Sequence, residues 1–193
     1  MTTPPFSWIP GRRRLPAFIV TTALAVVLLA ALMVLDRPLR TIAAPDGIVS
    51  FEVAGSMDSA RRILDSWPPE ARVAAGLSLG LDYLFLVAYA AAIAMGCGMV
   101  ADRLASEKPG FSRLGTILAW GQFAAAGCDM VENVMLILML QGHMAPALPA
   151  AALGCALVKF TVIGAGLFYA GAGGVLILAA SRAARGSARG GDR

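Results

Sequence analysis

Long apolar runs separated by tight polar clusters organise this chain. Leu15 to Leu35 carries no charge, with Arg12, Arg13 and Arg14 before it and Asp36, Arg37 and Pro38 after it. Leu77 to Val100 is a second run, interrupted by Asp82 and closed by Asp102 and Arg103. Leu114 to Leu140 is a third, carrying Asp129, Glu132 and Asn133, and Pro149 to Ala180 is a fourth, carrying Lys159 and stopped by Arg182. A bilayer core needs about 20 consecutive apolar residues as helix. The pattern predicts an all-α membrane protein, a single domain over 1–193 built as a four-transmembrane-helix bundle. The spans fall near 15–35, 75–101, 114–140 and 149–180, with a polar connection over 36–72 and a tail over 181–193. The first run has the basic flank of a secretory signal. Its 21 residues exceed the usual length of about 7–15, and no small-x-small site precedes Asp36, so an uncleaved anchor is expected.

Composition supports the same class. The chain is 58% hydrophobic and 15% charged, with mean hydropathy +0.73, against about 45–50% apolar and about 25% charged in soluble domains. The 21 Gly and 11 Pro form no periodic or low-complexity run, which excludes collagen-like and disordered classes. The net charge of +4 is a topology signal. Ten basic residues flank one side, from Arg12–Arg14, from Arg103, Lys108 and Arg113, and from Arg182, Arg185, Arg189 and Arg193. The other side has five, at Arg37, Arg40, Arg61, Arg62 and Arg72, balanced by six acids. Both termini are therefore expected in the cytoplasm and 36–72 outside it, in a cell inner membrane. No aromatic residues interleave with the basic ones, so nucleic acid is not an expected partner.

Within the connection, Val49, Phe51 and Val53 alternate with Ser50, Glu52 and Ala54, which predicts a short extended stretch. Ser56 can cap a helix with Asp58 in its first turn and Met57, Ala60, Ile63, Leu64 and Trp67 on one side. Pro68 and Pro69 end it. Either the segment forms a lid or docking surface over the bundle, or its helix lies in the membrane interface with Trp67 as an anchor. At 37 residues it is too short to fold alone without a staple. Cys97, Cys128 and Cys155 all fall inside spans, so they are expected to fill space rather than cross-link.

The chemistry-bearing residues lie inside the spans, at similar depth. Counting 1.5 Å per residue from the 36–72 side, Asp82 and Glu132 lie ~12 Å deep, Lys159 ~15 Å and Asp129 ~16 Å. Facing agrees with depth. Asp129, Glu132 and Asn133 share a sector about 100° wide that includes Gln122, and Ser78 and Tyr89 lie within about 40° of Asp82. Cys155, Gly166, Ala170 and Gly173 line up with Lys159, and Ala90, Ala94 and Gly98 form a second narrow face that admits a close neighbour. A charge in hydrocarbon costs about 2.5–3.5 kcal/mol even on the lenient insertion scale. The expected cluster of Asp82, Asp129, Glu132, Asn133, Lys159, Gln122 and Tyr89 must therefore pair, neutralise or line a wet cavity. Lys159 offsets one acid, and protons or a bound cation must answer for the rest.

Gly76-Leu77-Ser78-Leu79-Gly80 matches G-x-S-x-G, with Asp82 one turn on and His143 on the same side. That motif needs a strand-to-helix elbow, and here it opens a membrane helix. Two-histidine haem ligation is impossible with one histidine, and a zinc site has no support. Asp129, Glu132, Asn133 and Asp82 could offer oxygens to a hard cation, but their spacing matches no metal motif. No phosphate-binding glycine loop occurs, so no cofactor is expected. Phe51-Glu52-Val53-Ala54-Gly55, Trp67, the run LDYLFLVAY from Leu81 to Tyr89, DMVEN from Asp129 to Asn133, and Lys159-Phe160 resemble an uncharacterised family of small four-helix bacterial integral membrane proteins. The resemblance covers roughly 48–169 and implies a fold and a bacterial setting, with no activity, cofactor or catalytic residue to transfer.

These residues support several functions. They could be structural glue within the bundle. They could equally form a site for a small polar or cationic ligand, a lipid headgroup or a partner, in a binding or accessory protein. Proton- or cation-coupled transport would need a homo-oligomer, because four helices without a repeat are few for alternating access. An intramembrane hydrolase would have to be built on Ser78. The binding or accessory reading is favoured, because the set contains no recognisable nucleophile–base pair.

Overall fold

A computed structural model describes residues 3–190, with side chains through Ala179. The tail's basic side chains, Arg182, Arg185, Arg189 and Arg193, lie outside those described. Helix α1 spans Gly11–Leu35, and a 3-10 turn follows at Arg37–Leu39. Then come α2 (Ile48–Glu52), α3 (Met57–Ser66), α4 (Pro69–Leu104), α5 (Pro109–Leu140) and α6 (Ala147–Gly190). Among the described residues there is no strand. Helices α1, α4, α5 and α6 (the last through Ala179) are long and apolar enough to cross a membrane, as expected of a multi-pass membrane protein.

The helices run past the apolar stretches that announce them. Helix α4 and helix α5 each start on a proline, whose missing N–H would have had no helical partner at that position. Pro68 and Pro69 thus separate α3 from α4 and also launch α4. At 36 residues and 1.5 Å each, α4 is about 54 Å long, well beyond a bilayer core of about 30 Å. Its first turns form the floor of the 36–68 segment.

The expected four-helix bundle is realised as a three-helix core, α4–α5–α6, with α1 flanking α4. Helix α1 buries none of its residues. It has little to bring it inward: lipid tails are as apolar as its own side chains, and the Thr21 hydroxyl bonds back to the Ala17 and Phe18 carbonyls of its own helix. The core helices are drawn together by small residues and polar groups. A Cβ on Gly166 would collide with Gln122 and Ile93, and one on Gly173 with Val100. Gly96 leaves room for Phe18 of α1 on one side and Ala170 of α6 on the other. At the end away from 36–68, Trp120 Nε1 donates to the Thr3 carbonyl at 3.0 Å. Arg14 there donates to the Ser7 and Ile9 carbonyls and pairs with Asp102.

The 36–68 segment is a cap seated on α4, α5 and α6. Phe51, Ile63, Leu64 and Trp67 share one core with Leu79 of α4, Met135, Leu136 and Met139 of α5, and Ala152 of α6. Trp67 is 2% exposed, stands edge-on to Phe51 at 5.4 Å and donates Nε1–H to the Leu39 carbonyl at 2.8 Å. It is not an interfacial anchor, which corrects that reading of the sequence. The α3 helix is as the sequence predicts, with the Ser56 side chain accepting from Ser59 N–H.

The extended stretch predicted over 49–54 is also corrected, because Ile48–Glu52 form α2. A strand sends neighbouring side chains to opposite faces, whereas Phe51 and Glu52 are both buried and both point into the molecule. The helix starts where the Asp36 carboxylate, from the end of α1, accepts the Ile48 N–H at 2.7 Å. Gly47, at φ +59°, lies so close to that carboxylate that a Cβ would overlap it. Replacing Trp67 by Ala removes a buried indole and its hydrogen bond, a loss of about 3–5 kcal/mol. The variant should keep its membrane helices, seen as unchanged far-ultraviolet circular dichroism, while residues 36–68 become sensitive to protease.

Candidate functional site: an ion cluster beneath the cap

Lys159 lies on the face of α6 that meets α5, on a narrow ladder with Gly166 and Ala170. Its Nζ donates to Asp129 Oδ1 at 2.9 Å and to Glu132 Oε1 at 3.0 Å. Residues three apart on a helix share a face, so α5 presents both acids to one ammonium. Tyr89 of α4 donates its hydroxyl to Asp129 Oδ2 at 3.0 Å. Asp129 therefore has a donor on each oxygen. Beside it, Asn133 Nδ2 donates to Asp82 Oδ2 at 2.7 Å, joining α5 to α4.

The structure brings Asp129, Glu132, Lys159 and Tyr89 together in one buried cluster. Asn133 and Asp82 form an adjoining pair, with Asp82 only half-buried. Gln122 shares the buried sector of α5 but sits about two turns away. Its amide donates to the Val162 carbonyl of α6 at 3.1 Å and to Leu118 at 3.2 Å, so it fastens the seam without entering the cluster.

Glu52 is the member that sequence reasoning placed elsewhere. Its Oε2 lies 3.2 Å from Lys159 Nζ in an ionic contact that lacks hydrogen-bond alignment. Burial pushes the Glu52 carboxyl above the ordinary carboxylate range, with the Asp129 charge adding to the rise and the Lys159 ammonium opposing it. A signal was present in the sequence. Glu52 is the lone charge between Gly47 and Gly55, flanked by Phe51 and Val53, a poor setting for a solvated carboxylate.

The cluster is a packed seam. Two surface clefts occur elsewhere, one over Thr41, Ile42 and Arg62 on the cap and one over Pro5, Met95 and Asp102 at the opposite end, and no cluster residue lines either. Glu132 is fully buried, and its Oε2 has no donor. Ser78 is buried within regular helix α4, and no hydrogen bond joins it to Asp82 or to His143, which is exposed between α5 and α6. Cys97 is buried and Cys128 and Cys155 are half-buried, all three as free thiols. No protein-family model, curated protein or solved structure matches this chain.

Breaking a buried ion pair by removing one partner costs about 3–5 kcal/mol. Lys159→Met strands three carboxyls and should sharply reduce the folded yield, measured as the monodisperse fraction after detergent extraction. Adding Asp129→Asn removes one stranded charge and should recover part of that yield.

Proposed function

We propose that the chain is a membrane binding or accessory protein without catalytic chemistry of its own, which holds a small cation among Glu52, Asp129 and Glu132 beside the fixed charge of Lys159. The observation that supports this is a charge imbalance. Three buried carboxyls share one ammonium, and the fully buried Glu132 leaves one oxygen without a donor. Packing around the cluster favours a very small ligand over a lipid headgroup or an extended solute. In this reading the cap faces outward and both termini face the cytoplasm of a bacterial cell, with the protein in the plasma membrane. The distribution of basic residues and the resemblance to small bacterial membrane proteins support that placement.

An intramembrane hydrolase is not favoured, because Ser78 has no base in contact. Coupled transport would use the same acids, but would also need a route from the opposite end, where the cleft over Met95 and Asp102 stops short of the cluster. The test is thermal stability of the purified chain in lipid nanodiscs, against protons, sodium, potassium, magnesium and ethanolamine in turn. A ligand at 100 times its Kd stabilises by about 2.7 kcal/mol, so one of these cations should raise the melting temperature saturably. Glu132→Gln should stay folded and lose that rise. If no cation moves the parent's melting temperature at any pH, the cluster is structural glue and the reading fails.

A further inference from the structure

We infer that the cation resident in the cluster is a proton, shared between Glu52 and Glu132, and that it fastens the cap to the membrane helices; this rests on the cation-site reading above. Two carboxylate oxygens in the cluster lack a donor. Glu132 Oε2 and Glu52 Oε2 are both buried, and neither receives a hydrogen bond. The two carboxyls lie against the same ammonium, at 3.2 Å and 3.0 Å from Lys159 Nζ, which holds them side by side. As two carboxylates they are a pair of acceptors that repel. With one proton between them, a single O–H···O bond forms, and the repulsion between the two acids is removed. Burying an acceptor unsatisfied costs about 1–3 kcal/mol, so one proton relieves both defects.

A metal ion fits less well. Lys159 Nζ, 2.9–3.2 Å from three carboxyls, already occupies the point where a metal would sit, and an ammonium repels a second cation beside it. Among the described residues no group of His, Cys, Asp or Glu is arranged to hold a metal. A proton needs no coordination volume in a seam that is already packed. Asp129 needs none, since Lys159 and Tyr89 each give it a donor.

The consequence for the cap follows from where Glu52 sits. It is the one cluster acid carried outside the membrane-spanning helices, so repulsion from Glu132 is relieved by lifting α2 rather than by moving a span. The charged groups around it are Lys159 from α6, Asp129 and Glu132 from α5, and Asp82 from α4. A carboxyl that binds its proton more tightly in the docked cap than in the undocked one stabilises docking at low pH. That contribution is complete below the ordinary glutamate value of 4.5 and is lost as pH rises through the raised value.

Infrared spectroscopy of the full chain in nanodiscs tests this directly. At neutral pH the parent should show the carbonyl band of a protonated carboxyl, unchanged by sodium, potassium or magnesium. The band should disappear in both Glu52→Gln and Glu132→Gln, since one proton serves both acids. Hydrogen exchange over residues 48–66, corrected for its intrinsic pH dependence, should show protection falling by up to about tenfold per pH unit as the shared proton leaves. Glu132→Gln, whose amide donates as the protonated acid does, should flatten that slope. A parent without the band overturns the inference and needs no variant. A band that survives in both variants, or a flat parent profile, overturns it too. If the band is absent but an added metal or organic cation stabilises the parent, the cation site stands and the proton does not. If the band is absent and no cation has an effect, both fail.

Discussion

An ammonium held in hydrocarbon has to be answered at every donor position, because no water is there to complete the shell. Lys159 sets that requirement here, and much of the structure follows from meeting it. Two answers come from α5, one turn apart, which fixes the rotation of α5 against α6. A third carboxyl, in ionic contact without a hydrogen bond, comes from outside the spans, on a five-residue helix with no reason of its own to be helical. Helices this short are unstable in isolation. Helix α2 persists because Asp36 caps its start, Phe51 is locked against Trp67, and Glu52 reaches the ammonium at its end. The cap and the cluster are therefore one folding unit, although they are contiguous in neither sequence nor depth.

Helix–helix association in lipid lacks the apolar driving force of a soluble core and depends on close contact and polar bonds. Helix α4 has a small-residue surface for α6 and, through Tyr89 and Asp82, polar bonds to α5, so it sits at the centre. Helix α1 lies along α4, with Phe18 against Gly96 and Arg14 paired with Asp102, but it buries none of its own residues and stays at the edge. Its large apolar side chains point outward, as do those of α6. In a membrane this is the expected place for them, and in water it would be an aggregation hazard.

The parts of this arrangement that were legible in the sequence are those where a period carries the information. Span number, the common depth of Asp82, Asp129, Glu132 and Lys159, and the inward facing of Tyr89 all follow from 3.6 residues per turn and 1.5 Å per residue. Gln122 shows the limit of facing without height, since it lies in the right sector two turns from the cluster. The cap was far less legible. Six residues of alternating polarity fit a strand and a short helix equally well, and the deciding contacts of Phe51 and Glu52 come from residues 16 and 107 positions away. Trp67 before two prolines fits both an interface anchor and a core residue. Only the Leu39 carbonyl, which folds back over it, separates the two.

The charge count also bears on why a polar cluster is retained in the membrane at all. Replacing a buried ion network by well-packed apolar residues is often neutral or stabilising, so adhesion between α5 and α6 does not by itself require Lys159. Gln122 and the glycines of α6 already supply adhesion at lower electrostatic cost. An equal number of charges would suffice for a clamp, and Asp129 alone, with Tyr89 on its other oxygen, would balance Lys159. Glu132 and Glu52 exceed what a clamp needs, and Glu52 reaches the cluster only because a whole segment folds down to deliver it. Their excess ties the docking of the cap to the electrostatics of the buried cluster, because Glu52 can leave Lys159 and Glu132 only if α2 lifts from α5 and α6.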